Sequence, residues 1–75
     1  MLVNGKIALN PYETDIKFME LVDIGDDIEA NEHGKEFNLS PGSKYKLLEC
    51  DRDCVKVKND LGIENFYAVD YFRKA

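Results

Sequence analysis

Val55-Lys56-Val57-Lys58-Asn59-Asp60-Leu61-Gly62-Ile63-Glu64-Asn65-Phe66-Tyr67-Ala68 is the stretch whose reading decides the fold. Val55 and Val57 alternate with Lys56 and Lys58, the pattern of a strand with one face in the core and the other in water. Apolar and aromatic residues resume over 63–68, so a second strand follows. Between them, Asn59-Asp60-Leu61-Gly62 reads as a hairpin loop. Gly62 takes the left-handed position, where a Cβ would clash.

The reading extends outward from this hairpin. Upstream, Tyr45, Leu47 and Leu48 mark a strand, and Asp51-Arg52-Asp53 a short polar turn. Downstream, Asp70 reads as the cap of a last helical turn that returns Phe72 to the core. At the N-terminus, Met1-Leu2-Val3 and Lys6-Ile7-Ala8-Leu9 form a small hairpin about Asn4-Gly5, a pair suited to a type I′ turn. Asn10-Pro11-Tyr12-Glu13 has the form of a helix start and equally of a plain turn. Residues 16–23 read as a strand with Ile16, Phe18 and Val22 on one face. Residues 25–43 are polar and punctuated by Gly25, Gly34 and Pro41-Gly42, with Ile28, Phe37 and Leu39 as anchors. They predict a long loop, and a loop of that length in a small domain points to function.

The sum is an all-β chain, and a small, strongly bent five-stranded barrel is the economical way to hide its strand edges. At 75 residues the chain is a single domain. Its 44% hydrophobic and 33% charged residues are a globular composition. No apolar run approaches the roughly 20 residues of a membrane span, so no membrane association is expected. No signal peptide is visible, and two cysteines without one predict a reducing, cytoplasmic setting.

Several short motifs recur together: the 16–23 segment ending in Asp23, Leu39-Ser40-Pro41-Gly42-Ser43-Lys44-Tyr45, Lys46-Leu47-Leu48-Glu49, Val55-Lys56-Val57, Asn59-Asp60-Leu61-Gly62, and Phe66-Tyr67 before Phe72. In this pattern residues 16–72 resemble small SH3-like barrel proteins of bacteriophages and prophages of Gram-positive bacteria. The resemblance implies a five-stranded SH3-like barrel over 16–72 with residues 1–15 as an N-terminal extension. It implies the cytoplasm of a bacterial host and a role as an inhibitor or adaptor acting on a host protein. It carries over no catalytic residue and no cofactor.

The charge is uneven. Residues 13–36 carry nine acids and two bases, a net of −7 within a chain total of −5. Asp23, Asp26, Asp27, Glu29 and Glu32 are therefore read as an acidic, solvated loop that meets a basic patch on a protein partner. They do not make a calcium loop, because Gly25 stands third from Asp23, where an oxygen ligand is needed. Tyr67 and Tyr71 are read as exposed and added to the partner surface, whereas Tyr45 and Phe66 are assigned to the core. Tyr12, Tyr45, Phe66, Tyr67 and Tyr71 are also weighed as a groove for an extended Pro-rich peptide. Lys44, Lys46, Lys56, Lys58, Arg52 and Lys74 carry the alternative, a basic strand face for nucleic acid, against which the acidic total weighs. Self-association through the 1–9 hairpin is a third option. Cys50 and Cys54 flank the 51–53 turn at a spacing compatible with a bridge, and the cytoplasmic setting predicts reduced thiols. One C-x-x-x-C and a distant His33 fall short of a zinc site. His33 has no partnered nucleophile, so no enzyme chemistry is expected.

Overall fold

The hairpin at 55–68 forms as its alternation predicts, and the sheets assemble around it. In the computed structural model, which describes residues 2, 3, 5–10 and 12–75, the strands are β1 (Leu2–Val3), β2 (Lys6–Ala8), β3 (Leu21–Val22), β4 (Asp27–Ala30), β5 (Lys44–Lys46), β6 (Glu49–Asp51), β7 (Cys54–Lys58), β8 (Glu64–Ala68) and β9 (Phe72–Lys74). Among the described residues they make three antiparallel sheets, in the orders β1-β2-β3, β5-β4-β9 and β6-β7-β8. The chain is all-β, with short 3-10 turns at Ile16–Phe18, Glu32–Gly34 and Val69–Tyr71. The Asn4 half of the expected Asn4-Gly5 turn and the Pro11 of the expected helix start lie outside the described residues.

Several expectations need correction. The strand segments number nine rather than five among the described residues, and their ladders form three separate sheets rather than one closed ring. Part of the reason is a bend within 44–51. Leu47 is fully buried, its N–H donates to Asp26 O at 2.9 Å, and its carbonyl accepts from Gly25 N at 2.8 Å. The next residue turns to the other sheet, with Leu48 N donating to Lys56 O at 2.8 Å. One run of chain thus serves β4 first and β7 afterwards.

The second correction concerns the acidic loop. Asp27–Ala30, read as part of an excursion, is the central strand of its sheet. Its alternation buries Ile28 and Ala30 completely and turns Asp27 and Glu29 outward. Cations on the neighbouring strands stand across from those acids, and Arg73 pairs with Glu29. Lys46 stands opposite Asp27, and Lys44 and Arg73 flank Glu29. Opposite charges on directly paired positions stabilise a sheet, so a sequence that looks loop-like holds a strand.

Residues 16–18 form a 3-10 turn where a strand was expected. The Asp15 side chain accepts from Lys17 N at 3.2 Å, and Asn10 ties the segment down from outside. Its amide nitrogen donates to Phe18 O at 3.0 Å, and its side-chain oxygen accepts from Glu20 N at 2.6 Å. Ile16 and Phe18 are consequently exposed, and of the expected face only Val22 reaches the core. Asp70 lies inside the last turn rather than capping it: Ala68 holds the cap position and makes no side-chain cap bond. Phe72 is buried all the same.

The core joins Leu9, Val22, Ile28, Leu47, Val55, Val57 and Phe72 in one cluster. Ile7, Ala8 and Leu9 are almost wholly buried, so the N-terminal segment contributes to that cluster. No helix among the described residues is long and apolar enough to cross a membrane.

Candidate functional site

The segment between β4 and β5 is held against the β7–β8 hairpin by a polar network, and that attachment builds a groove. At its start, Asn31 N donates to Tyr71 O at 2.9 Å, and the Asn31 amide nitrogen donates to Asp70 O at 2.7 Å. The Asn31 side-chain oxygen accepts from His33 N, capping the short turn at Glu32–Gly34. Gly34 is buried because Leu39 folds back over it. A Cβ there would lie 2.8 Å from Leu39 Cδ1.

Further along, the segment meets the hairpin loop. Asp60 N donates to Asn38 O at 2.9 Å. The Asp60 carboxylate accepts from Ser40 Oγ and from the Tyr45 hydroxyl, both at 2.6 Å, and the Tyr45 oxygen accepts from Ser40 N at 2.8 Å. The Ser40 and Tyr45 bonds favour the ionised carboxylate and hold Asp60 below its ordinary pKa. Burial and the Asp60 contact push Tyr45 above its own. Nearby, buried Asn59 accepts from Leu61 N and Ile63 N and donates to the Tyr67 hydroxyl, which in turn donates to Phe37 O at 2.8 Å. Asn59 therefore both shapes the turn and fixes Tyr67.

The groove has a volume of about 440 Å³ and is lined by aromatic side chains between backbone walls. Residues 36–38 form one wall, and residues 65–68 of β8 form the other. Phe37 stacks on Tyr71 with centroids 5.5 Å apart, and Tyr67 tilts against Tyr71 at 6.3 Å. Phe66 stands at the rim, 47% exposed, with Lys56 Nζ 5.6 Å from its ring centroid. Of the chain's four tyrosines and four phenylalanines, three meet here and a fourth, Phe66, stands at the rim.

The two tyrosines named from the sequence, Tyr67 and Tyr71, do meet in this groove. Tyr67 is buried rather than exposed, and Phe66 is exposed rather than core. Adjacent strand residues face opposite sides. Tyr67 pairs with buried Val55 and Phe66 with Lys56, so the register settles which of the two turns inward. Phe37 is the site residue that sequence reasoning missed; Phe66 was weighed as a groove residue but assigned to the core. The Lys56/Val57 alternation, carried across the hairpin, was the signal for Phe66.

The five carboxylates do not gather into one patch. Asp23 and Asp26 share the turn before β4, where Asp23 binds Lys6 Nζ at 2.7 Å and Asp26 accepts from Asp23 N. The Asp23 contact raises the Lys6 pKa. Asp27 faces Lys46, and half-buried Glu29 takes the Arg73 guanidinium. Glu32 lies beyond the far end of β4, about 13 Å of strand away from the turn. The lysines are matched in the same way. Lys44 and Lys46 oppose Glu29 and Asp27, and Lys56 reaches Glu49 at 2.9 Å and Glu64 at 3.6 Å, which raises its pKa. Lys58 stands opposite Glu64.

Cys50 and Cys54 are free thiols. The turn between them is Arg52-Asp53, because Asp51 pairs with Cys54 and Cys50 with Val55. Cys50 thus shares a face with Val55, while Cys54 lies on the opposite one, so the spacing does not align them for a bridge. His33 is exposed, and no cluster of three or more metal-ligating side chains occurs among the described residues.

Compared with protein-family models, curated proteins and solved structures, the chain matches none.

Proposed function

We propose that this chain is a non-enzymatic protein-interaction module of the SH3-like kind carried by phages and prophages, acting as an inhibitor or adaptor on a host protein. Its docking site is the aromatic groove between residues 36–38 and β8, and its occupant is an extended, basic segment of the partner. The convergence of Phe37, Tyr67 and Tyr71 on one groove, with Phe66 at its rim, is the observation that carries this reading. Aromatic side chains supply large contact area with little conformational freedom to lose, which is why they dominate binding surfaces. The SH3-like reading comes from the sequence motifs, and the chain order supports it: a bent run shared between two sheets, a hairpin, then a 3-10 turn leading to a last strand beside β4.

Charge supports a basic partner. The chain nets −5, and Glu36 lies in the groove wall. A diffuse negative field steers a cationic segment and speeds its encounter. The scattered carboxylates of 23–32, of which Asp23 and Glu29 hold cations of the chain itself, contribute to that field rather than forming the contact.

The test is affinity capture from a bacterial lysate with the wild type and a Phe37→Ala, Tyr71→Ala variant side by side, read by mass spectrometry. A specific protein lost by the variant, with the fold retained by circular dichroism, is the expected result. Identical captured sets remove the groove from the mechanism.

A further inference from the structure

Among the described residues strand β8 has one partner, β7, and its other edge runs along the aromatic groove. The direction of its backbone groups follows from the ladder. Asn59 N bonds Ile63 O at one end of the hairpin, and Val69 N bonds Asp53 O at the other. In an antiparallel pair, hydrogen-bonded and non-bonded pairs alternate. With the register Val57↔Asn65 and Val55↔Tyr67, Asn65 and Tyr67 face β7. The N–H and C=O of Glu64 and Phe66, and the N–H of Ala68, therefore point away from β7 toward the open edge. No backbone hydrogen bond reaches the outward amides of Phe66 or Ala68 among the described residues.

Edge strands are ordinarily guarded by lysine, proline or a bulge. The β8 sequence Glu64-Asn65-Phe66-Tyr67-Ala68 contains neither lysine nor proline, and its outward groups open beside the stacked rings. From this the geometry points to β-strand addition: a basic, extended peptide segment pairs with β8 through the backbone of Phe66 and Ala68. Alternate side chains of that segment enter the groove over Tyr67 and Tyr71. The inference rests on the groove being the docking site, and it adds the backbone pairing and the alternation of the occupant. A second copy of the chain is disfavoured as occupant by charge. Each copy nets −5, so two copies repel. A cationic strand meets Glu36 on the groove wall.

The probe is a synthetic octapeptide of alternating valine and lysine, titrated into the nitrogen-15-labelled protein. Its controls are the same peptide methylated at every backbone nitrogen and an alternating valine–glutamate octapeptide. The expected result is saturable shifts and hydrogen-exchange protection at the Phe66 and Ala68 amides with the valine–lysine peptide alone. Ala68→Pro tests the pairing from the protein side. Ala68 already has φ −61, within the range proline requires, so the change removes an outward N–H and leaves the β7 ladder intact. Losing one such bond weakens binding roughly 3–10-fold. If Ala68→Pro does not fold, the methylated peptide decides the matter. Equal binding of the methylated peptide, with shifts at Phe37 and Tyr71, overturns strand pairing and leaves the groove as a side-chain site. Equal binding of the valine–glutamate peptide overturns the basic occupant. No binding by any of the three overturns strand addition, and the groove then stands or falls by the lysate comparison. Concentration-dependent protection of the Phe66 amide without peptide assigns the edge to a second copy and also overturns it.

Discussion

Tyr45, Ser40 and Asp60 clip the 31–43 segment to the hairpin loop, and a double-mutant cycle on Tyr45 and Asp60 measures that clip. Tyr45→Phe removes the hydroxyl that donates to Asp60 and accepts from Ser40 N, while the ring remains packed 6.4 Å from Phe72. Ser40 is exposed, so water replaces its lost acceptor. The expected cost is about 1–2 kcal/mol, the range of one or two hydrogen bonds, one of them to a charged group. Asp60→Ala leaves the buried Tyr45 hydroxyl without its acceptor and also releases Ser40 Oγ, at a cost of about 1–3 kcal/mol. The double variant should fall short of the sum by about 1 kcal/mol, since both single changes break the same bond. Against a total stability of roughly 4–11 kcal/mol for a domain of this size, each single change is visible. It corresponds to a fall in melting temperature of about 4–8 °C per kcal/mol.

The coupling has a defined pH dependence. Asp60 is held below its ordinary pKa of 3.8 in the fold, so its contribution is present above that value. It is lost as pH falls through the lowered folded pKa. Tyr45 is raised above 10.0, so its contribution is present below 10.0 and is lost as pH rises through the raised value. Urea denaturation of the four proteins, followed by circular dichroism at neutral and acid pH, is the assay. Additive costs at neutral pH, or a coupling unchanged after Asp60 is protonated, refute the clip.

Three further outcomes are expected. Gly34→Ala should lower stability by about 1–3 kcal/mol, because the new methyl meets Leu39; in a Leu39→Ala background the same change should cost much less, as urea midpoints will show. Gly62→Val should destabilise by about 1–2 kcal/mol, because φ is +78° there, and an unchanged melting temperature counts against the left-handed turn. Glu29→Gln, which breaks the contact with Arg73, should cost about 0.2–1 kcal/mol, whereas Glu32→Gln on its exposed turn should stay within about 0.5 kcal/mol; equal thermal shifts for the two would show that the central-strand ion pair contributes nothing.

Local pattern was enough for the 55–68 hairpin. Its strand alternation and its glycine are properties of adjacent residues, and the loop forms where they place it. The buried cluster of Leu47, Val55, Val57 and Phe72 was legible for the same reason, since apolar residues at strand spacing have one face to hide. The groove was half legible. Tyr67 and Tyr71 drew notice as aromatics near the end of the chain, but Phe37 lies thirty positions from the Tyr67 hydroxyl that holds its carbonyl. Nothing in the spacing of the two announces that contact.

What the sequence determined by itself was therefore the all-β character, the main hairpin and the acidic balance, because strand periodicity, turn chemistry and charge are short-range or additive. The tertiary structure alone decided that Asp27–Ala30 is a central strand and that Glu29 is an ion-pair member. Each of these depends on which strand lies alongside. The cations that stabilise β4 come from Lys44, Lys46 and Arg73, more than a dozen residues away, and pairing brings them to Asp27 and Glu29 only after the chain has folded.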